Sequence, residues 1–296
     1  MIIIEAIKAV IYGILEGITE WLPVSSTGHL ILLEEILPLN VARGLGERFA
    51  EEYFSMFEVV IQLGAILAVV VMFFSKLNPF APSKSAVDKR ATWVLWAKVL
   101  VASVPAAFVG IVLDKVIEKL SGKDIDGWIY NWQVVAAALI IYGVLFIIIE
   151  SLHKGKQSRI DRVEDISFSQ AAAVGCFQML AIIPGTSRSG STILGSRCIG
   201  ISRSAAAEFS FFMGIPAMAG ASLIKGYGFL DYVMETGVKV PALAWAVLCI
   251  ACVVAFAVSM VAIKFLMEFV KKHSFSAFGV YRIVLGALVI IYFLAR

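Results

Sequence analysis

Glu16 and Glu20 lie four residues apart in an otherwise apolar stretch, so in a helix they face the same way, one turn apart. A single carboxylate inside a membrane costs about 2.5–3.5 kcal/mol on insertion scales, and repulsion from a neighbour raises the cost. A divalent cation, a shared proton or a basic partner would offset it, and hard Mg²⁺ or Ca²⁺ prefers carboxylate oxygens. A protonated, hydrogen-bonded Glu or a wet helix end would do so too. Further on, Ser25, Ser26, Thr27 and Gly28 follow Pro23 and precede the apolar run Leu30 to Leu33. They stand at a helix start whose free N–H groups and dipole favour anions. Ser-Ser-Thr before a helix is also an ordinary N-cap. His29 moves the balance towards chemistry. It is the one His in an apolar segment, since His153 and His273 fall in basic loops, and one helical turn could bring its imidazole to the Ser26 hydroxyl.

A second polar run interrupts an apolar stretch at Pro184-Gly-Thr-Ser-Arg-Ser-Gly-Ser-Thr192. Thr186, Ser187, Ser189, Ser191 and Thr192 crowd hydroxyls around Arg188, while Gly185 and Gly190 permit close backbone approach. An arginine at membrane depth needs an anion, and its planar fork suits phosphate oxygens. A salt bridge to Glu16 or Glu20 would equally satisfy it. Arg203, after the turn at Gly200-Ile201-Ser202, either adds charge to the site or anchors the chain at an interface. Two carboxylates, a serine, a histidine, an arginine and hydroxyl-rich turns suit phosphoryl transfer, which asks a protein mainly to position groups and stabilise negative charge. A substrate for such a site enters from the lipid, because a soluble phosphate ester needs no site built inside a bilayer.

The elements that must hold these residues belong to a membrane protein. The chain has 296 residues, 60% of them apolar and 16% charged, with a mean hydropathy of +0.90. Soluble domains run at about 45–50% and 25%, so a disordered chain, a nucleic-acid-binding module and a typical cytosolic enzyme are all excluded. The net charge of +3 is too small to imply a polyanionic partner, so no nucleic-acid partner is expected. Six stretches are long and apolar enough to cross a bilayer: 56–75, 93–113, 133–150, 205–224, 241–267 and 279–295. Trp93, Trp96, Trp128, Trp132 and Trp245 fall near their ends, where indoles favour the interface. The start, Met1 to Glu5, lacks the basic leader of a signal peptide, so the first helix is expected to stay in the mature protein. Cys176, Cys198, Cys249 and Cys252 lie in apolar stretches and read as small buried hydrophobes rather than a redox or zinc set.

Loop 76–92, the stretch after Glu150 and the loop with Lys271, Lys272 and His273 are basic, whereas those around 114–127 and 225–239 are neutral or slightly acidic. The positive-inside rule puts the first group in the cytoplasm and both chain ends outside. Segments 1–37 and 170–203, each broken by proline and a polar run, read as re-entrant helical hairpins. Backbone that leaves the helix at membrane depth must line a protein-enclosed or wet cavity. Each hairpin is followed by three spans, an odd number, so the two halves have opposite orientations. Gly13-Ile-Leu-Glu16 and Gly175-Cys-Phe-Gln178 look like diverged copies. The expected fold is therefore an all-α integral membrane protein, a single membrane domain over 1–296. It has six transmembrane helices, two re-entrant hairpins and an inverted-topology repeat with halves 1–150 and 170–296, whose broken helices meet near the midplane.

Glu16-Gly-Ile-Thr-Glu20 running into Pro23-Val-Ser-Ser-Thr-Gly-His29, with Pro184 to Thr192 later, closely resembles the undecaprenyl pyrophosphate phosphatase family, also called the bacitracin-resistance proteins. The resemblance extends to Phe57-Glu-Val-Val-Ile-Gln-Leu-Gly64 and to Ser202-Arg203 through Phe212. It implies hydrolysis of the terminal phosphate of undecaprenyl pyrophosphate, which recycles the lipid carrier of peptidoglycan synthesis. It also implies a divalent cation, a bacterial plasma-membrane location and a site opening to the periplasmic or outer face. Carried onto matching positions, Glu16 and Glu20 form the acidic, metal-holding motif, Ser26 and His29 the hydroxyl and imidazole, and Arg188 the phosphate-binding arginine. Another lipid-phosphatase class is not matched, because Leu194 stands where its histidine belongs.

In the expected mechanism Ser26 attacks phosphorus, His29 accepts the proton and then activates water, Glu16 and Glu20 hold metal or orient His29, and Arg188 stabilises the transition state. Direct attack by metal-bound water stays open. Ser25, Thr27, Gly28, Gly185, Thr186, Ser187, Ser189, Ser191 and Thr192 are the expected substrate-binding shell. A homodimer is among the expected assemblies. The rival reading is a lipid or ion transporter or flippase built on the repeat, and the blandest is a structural membrane subunit.

Overall fold

The computed structural model describes residues 2–41, 44–121, 129 and 131–295. Its main helices, in chain order, are α1 (Ile2–Thr19), α2 (Ser26–Ile36), α3 (Glu47–Val60), α4 (Gln62–Met72), α5 (Ala86–Phe108) and α6 (Trp132–Leu152). There follow α7 (Phe168–Gln178), α8 (Arg188–Cys198), α9 (Arg203–Thr236), α10 (Ala242–Lys272) and α11 (Ser276–Ala295). Six helical units are long and apolar enough to cross a membrane: α3 with α4, α5 with its continuation to Val112, α6, α9, α10 and α11. They coincide with the six stretches expected.

Two ends differ. The first unit starts at Glu47 rather than 56, and α9 runs on to Thr236, so much of the expected loop 225–239 is helix. Apolarity marks only the hydrocarbon slab, whereas helical hydrogen bonding continues until something stops it. Here Gly237, at φ 65°, ends α9 with its N–H on the Val233 carbonyl. Of the expected loop 114–127, residues 114–121 are helical; the remainder, and Trp128, lie outside the described residues. The thiols also need correcting. Cys176, Cys198 and Cys249 are exposed and Cys252 half-buried, all free. In a membrane protein an apolar position is as apt to face lipid as core.

Local chemistry starts the helices. Ser85 with Asp88 and Ser167 with Gln170 form capping boxes on α5 and α7, and Ser202 accepts the Ala205 N–H at the head of α9. Pro105 in α5 removes a backbone donor, and the helix then widens into a π turn over Val109–Leu113.

Both interrupted segments are helix, turn, helix. The second turn is shorter than expected, because Ser187 already caps α8 and the hydroxyl run from Ser189 to Thr192 is helical. Packing is reciprocal. α1 lies on α10, with a Cβ at Gly13 reaching 2.6 Å from the Ala251 carbonyl oxygen, and α7 lies on α5, where Gly175 meets the Ala102 carbonyl. α6 lies on α11, with Gly143 against Gly279 and Ala136 against Gly286, and α3 and α4 lie on α9. Small residues at these crossings let backbones approach where side chains would keep them apart.

The basic loops share one end of the molecule. Lys76 pairs with Glu164 at 3.1 Å and with Glu208 at 2.5 Å, and Lys98 Nζ donates to the Glu164 carbonyl at 2.7 Å. Burial works against the Lys76 ammonium, but hydrogen bonds and charge from Glu208 and Glu164 outweigh it and hold its pKa above the ordinary lysine value. Glu164 is pushed up by burial and pulled further down by its own backbone N–H and by Lys76, so it ends below the usual carboxylate range.

Candidate active site

The two turns meet tip to tip. Arg188, the first residue of α8, directs Nη2 and Nε at Glu20 Oε1, at 3.0 and 3.2 Å, and its Nη1 donates to the Ser210 carbonyl on α9 at 2.7 Å. Glu20 Oε2 accepts the Ser26 hydroxyl at 2.7 Å, so one carboxylate joins the guanidinium of one hairpin to the hydroxyl of the other. Ser189 Oγ donates to the Glu20 carbonyl at 3.0 Å. Gly214 leaves room for the guanidinium: a Cβ there would sit 3.0 Å from Arg188 Cζ.

Each turn is built on a left-handed serine. Ser25, at φ 77°, accepts the Gly28 N–H on its Oγ at 3.2 Å; Ser187, at φ 72°, accepts the Gly190 N–H at 3.1 Å. Gly185, at φ 89°, presses its Cα against the Val135 carbonyl, which a Cβ would approach to 2.6 Å.

The pairing of Ser26 with His29 that the spacing allows is not the one formed. His29 Nδ1 lies 2.7 Å from the Ser25 carbonyl oxygen, so it carries the proton, and Nε2, 2.7 Å from the Tyr281 hydroxyl, is left to accept. Both ring nitrogens are engaged, and Glu20 takes the Ser26 proton because it faces the hydroxyl across the turn.

A cavity of about 280 Å³ opens at this junction, lined by Glu20, Ser26, Thr27, Gly185, Ser187 and Arg188 and, opposite them, by Gln62, Gln178 and apolar residues. The rest of the expected shell holds backbone. Ser25 and Gly28 form a cap, and Thr192 Oγ1 bonds the Arg188 carbonyl at 2.9 Å and Ser210 Oγ at 2.7 Å. The Thr186 carbonyl accepts from Arg282, the Thr186 hydroxyl is buried without a partner among the described residues, and the Ser191 hydroxyl faces Tyr142. His29 and Glu16 do not line the cavity. Glu16 is fully buried with both carboxylate oxygens unpartnered, one turn behind Glu20.

Three contributors were not singled out from sequence. Arg282, wholly buried, donates to the Pro23 carbonyl at 3.0 Å and to the Gly185 and Thr186 carbonyls at 2.6 and 2.7 Å, stapling the two tips together. An arginine inside the apolar span 279–295 was a signal in itself, since a membrane cannot leave it unpaired. Tyr281 beside it holds His29. Gln178, also buried, has neither amide oxygen nor nitrogen bonded, and its place in Gly175-Cys-Phe-Gln178 is that of Glu16 in Gly13-Ile-Leu-Glu16. Beyond Gln178 the cavity continues as an apolar groove of about 330 Å³ between α5 and α9, lined by Ala106, Gly110, Ile111, Ala217, Gly220 and Ile224 among others.

Comparison with known proteins places the chain in a family. Residues 9–288 match the family described as Bacitracin resistance protein BacA. The chain is 49% identical over 290 residues to the undecaprenyl-diphosphatase of Lactiplantibacillus plantarum, covering 98% of both chains. It is 48% identical over 287 residues to that of Enterococcus faecalis, covering 97% of both, and 48% identical over 292 residues to that of Acetivibrio thermocellus, covering 99% of both.

Proposed function

The chain belongs to the bacitracin resistance protein BacA family, and on that premise we propose that it hydrolyses undecaprenyl diphosphate, with the junction of the two turns as the reacting centre. It is a multi-pass membrane hydrolase of cell-wall synthesis that returns the lipid carrier as its monophosphate. The observation that carries the assignment of the centre is Glu20, whose carboxylate accepts the Ser26 proton while pairing with Arg188.

In this reading the terminal phosphate draws the Arg188 fork away from Glu20, because a phosphate dianion offers more charge than one carboxylate. Released from its cation, Glu20 becomes the stronger base, and it takes the Ser26 proton as Oγ attacks phosphorus. The new Oγ–P bond forms as the bridging P–O bond breaks, and the prenyl monophosphate leaves with the bridging oxygen. Water then attacks the phosphoserine, the Oγ–P bond breaks as Glu20 returns its proton to Oγ, and inorganic phosphate leaves with the water's oxygen and protons. His29 is a positioning residue: through the Ser25 carbonyl it fixes the cap that aims Ser26. Gln178, with its amide unspent where cavity meets groove, serves the proximal phosphate, and the groove takes the first isoprene units.

A divalent cation fits in part. Glu16, buried and unpartnered, asks for positive charge, and Glu20 is next to it; no three Asp, Glu, His or Cys side chains converge among the described residues, so further ligands would come from substrate oxygens and water. When bound it would neutralise charge on the diphosphate.

We also read the fold as an inverted repeat of two re-entrant hairpins. The reciprocal packing of α1 on α10 and α7 on α5 supports it. So does direction: Gly13 and Gly17 meet Ala251 and Ala255, so α1 runs parallel to α10, towards the basic end, while α7 starts at that end. The positive-inside rule makes the basic end cytoplasmic. Residues 106–111 and 217–225 of the groove advance away from it, which supports entry from the outer leaflet.

The test is phosphate release from C55 and C15 diphosphates by the purified protein. Ser26→Ala and Glu20→Gln should each lower kcat by about 10³-fold or more. Near wild-type turnover in either variant would remove the scheme, and transport of lipid without phosphate release would favour a flippase.

A further inference from the structure

A cavity of about 440 Å³ lies at the basic end and shares no lining residue with the catalytic one. Arg188 and Arg197 stand at opposite ends of α8, nine residues or about 13–14 Å apart along the axis. The second cavity is bounded by Lys156, Arg197, Ser202, Arg203, Ser204 and Lys271, with His153 and Asp161 on its wall.

We propose that this cavity is a second phosphate site, which holds the headgroup of an anionic phospholipid. Its floor is a built network. Arg197 is buried and gives Nε to Glu150 Oε1 at 2.9 Å and Nη1 to the Ile201 carbonyl at 2.7 Å; Arg203 gives Nε and Nη2 to Glu150 Oε2 at 2.7 and 2.5 Å. One carboxylate thus orients two guanidinium groups and neutralises only one. Each keeps a terminal nitrogen, Nη2 of Arg197 and Nη1 of Arg203, with no partner in the hydrogen bonds described. Lys156 and Lys271 make no ion pair among the described residues, so the cavity carries an excess of positive charge even with Asp161 counted.

The walls are fixed as well. Arg159 N donates to the Gly200 carbonyl at 3.0 Å and Ser202 N to the Ile160 carbonyl at 2.8 Å, pinning the 153–161 loop against the turn into α9. Ser202 caps that helix, so its first free N–H groups and the Ser204 hydroxyl join the arginines at the same place. Oriented guanidinium groups, ammonium groups without an ion pair among the described residues, hydroxyls and a helix start together match a phosphate group.

Depth points to a lipid as the source of that phosphate. The cavity sits where α6 and α10 end and α9 begins, and just inward of it Leu152 and Phe265 are more than half exposed. Headgroups lie at that level, and basic pockets between helix ends are where anionic headgroups bind. The proposal does not rest on the catalytic reading.

The experiment measures melting of the full chain in nanodiscs of phosphatidylcholine alone, of phosphatidylcholine with phosphatidylglycerol, and of phosphatidylcholine with added inorganic phosphate. Two double variants remove equal charge at the same end: Lys156→Ala with Lys271→Ala inside the cavity, and Lys84→Ala with Lys89→Ala outside it. Activity in phosphatidylcholine reports that both are folded. The expected result is a rise of several degrees with phosphatidylglycerol, cut by at least half in the cavity variant and kept in the other. No rise in the wild-type chain, or an equal loss in the two variants, would overturn the site. A full rise with inorganic phosphate alone would overturn the lipid as its ligand.

Discussion

At the tip of the first hairpin Ser25 holds φ 77° and takes the Gly28 N–H; at the tip of the second Ser187 holds φ 72° and takes the Gly190 N–H. Counted from those caps, the flanking residues correspond in place but not in type. Nine residues before stand Glu16 and Gln178, five before stand Glu20 and Ile182, and directly after stand Ser26 and Arg188. The backbone device is common to both regions and the chemistry is divided between them, anion and hydroxyl on one side, cation and amide on the other. A diphosphate needs both kinds of group at once, and Arg282 keeps the halves in register by bonding carbonyls of each turn.

That division is broken most severely at Arg188. Arg188→Ala should cost about 10³-fold or more in kcat, the scale seen when a transition-state arginine is lost. It also leaves Glu20 buried without its partner, so the variant should melt earlier, by the loss expected when half of a buried pair is removed. Arg188→Lys separates the two effects. It keeps the charge and most of the stability but lacks the planar fork, so turnover should stay well below wild type. Turnover within threefold of wild type in the lysine variant would mean that charge alone suffices and that the contrast between the hairpins is simpler than drawn.

Gln178 sharpens the contrast on the same side. Its amide is buried and unbonded, which is costly unless a ligand or water uses it. Gln178→Leu, similar in volume, should raise KM for a prenyl diphosphate about tenfold while kcat falls less than threefold, because the terminal phosphate and its partners are untouched. Inhibition by inorganic phosphate, which needs only the terminal subsite, should keep its wild-type constant. Equal weakening of both would reduce Gln178 to packing.

Much of this was legible in sequence, for identifiable reasons. Spans declare themselves by length and apolarity, and an ionisable residue inside one declares a site, which is why Glu20 and Arg188 stood out. The Arg188–Glu20 pair was among the partners expected, but those of Ser26 and His29 were not. His29 is one turn from Ser26, yet it bonds Tyr281, which is 252 residues away in the chain, and Ser26 turns to Glu20. Helical spacing specifies a shared face, whereas a turn lets residues six apart meet. The hydroxyls of Ser189, Ser191 and Thr192 looked like ligands for phosphate because composition does not reveal that they point into the protein once Ser187 starts the helix before them.

The smallest expected effect concerns the shared device itself. Alanine at Ser25 or Ser187 removes the cap, worth about 1 kcal/mol, and keeps a Cβ at positive φ, where non-glycine residues are strained. Glycine loses the same hydrogen bond but relieves the strain, so Ser→Gly should melt near wild type and Ser→Ala lower, at both positions alike. Activity should then distinguish them. Ser25→Gly loosens the residue before the attacking hydroxyl, whose carbonyl also anchors His29, and so should lower kcat about tenfold; Ser187→Gly loosens the residue before a long, flexible arginine that Glu20 and Ser210 still direct, and so should lower it less. Identical kcat losses at the two caps would mean that Ser26 needs no finer aiming than Arg188, which is what a water nucleophile in place of the serine would predict.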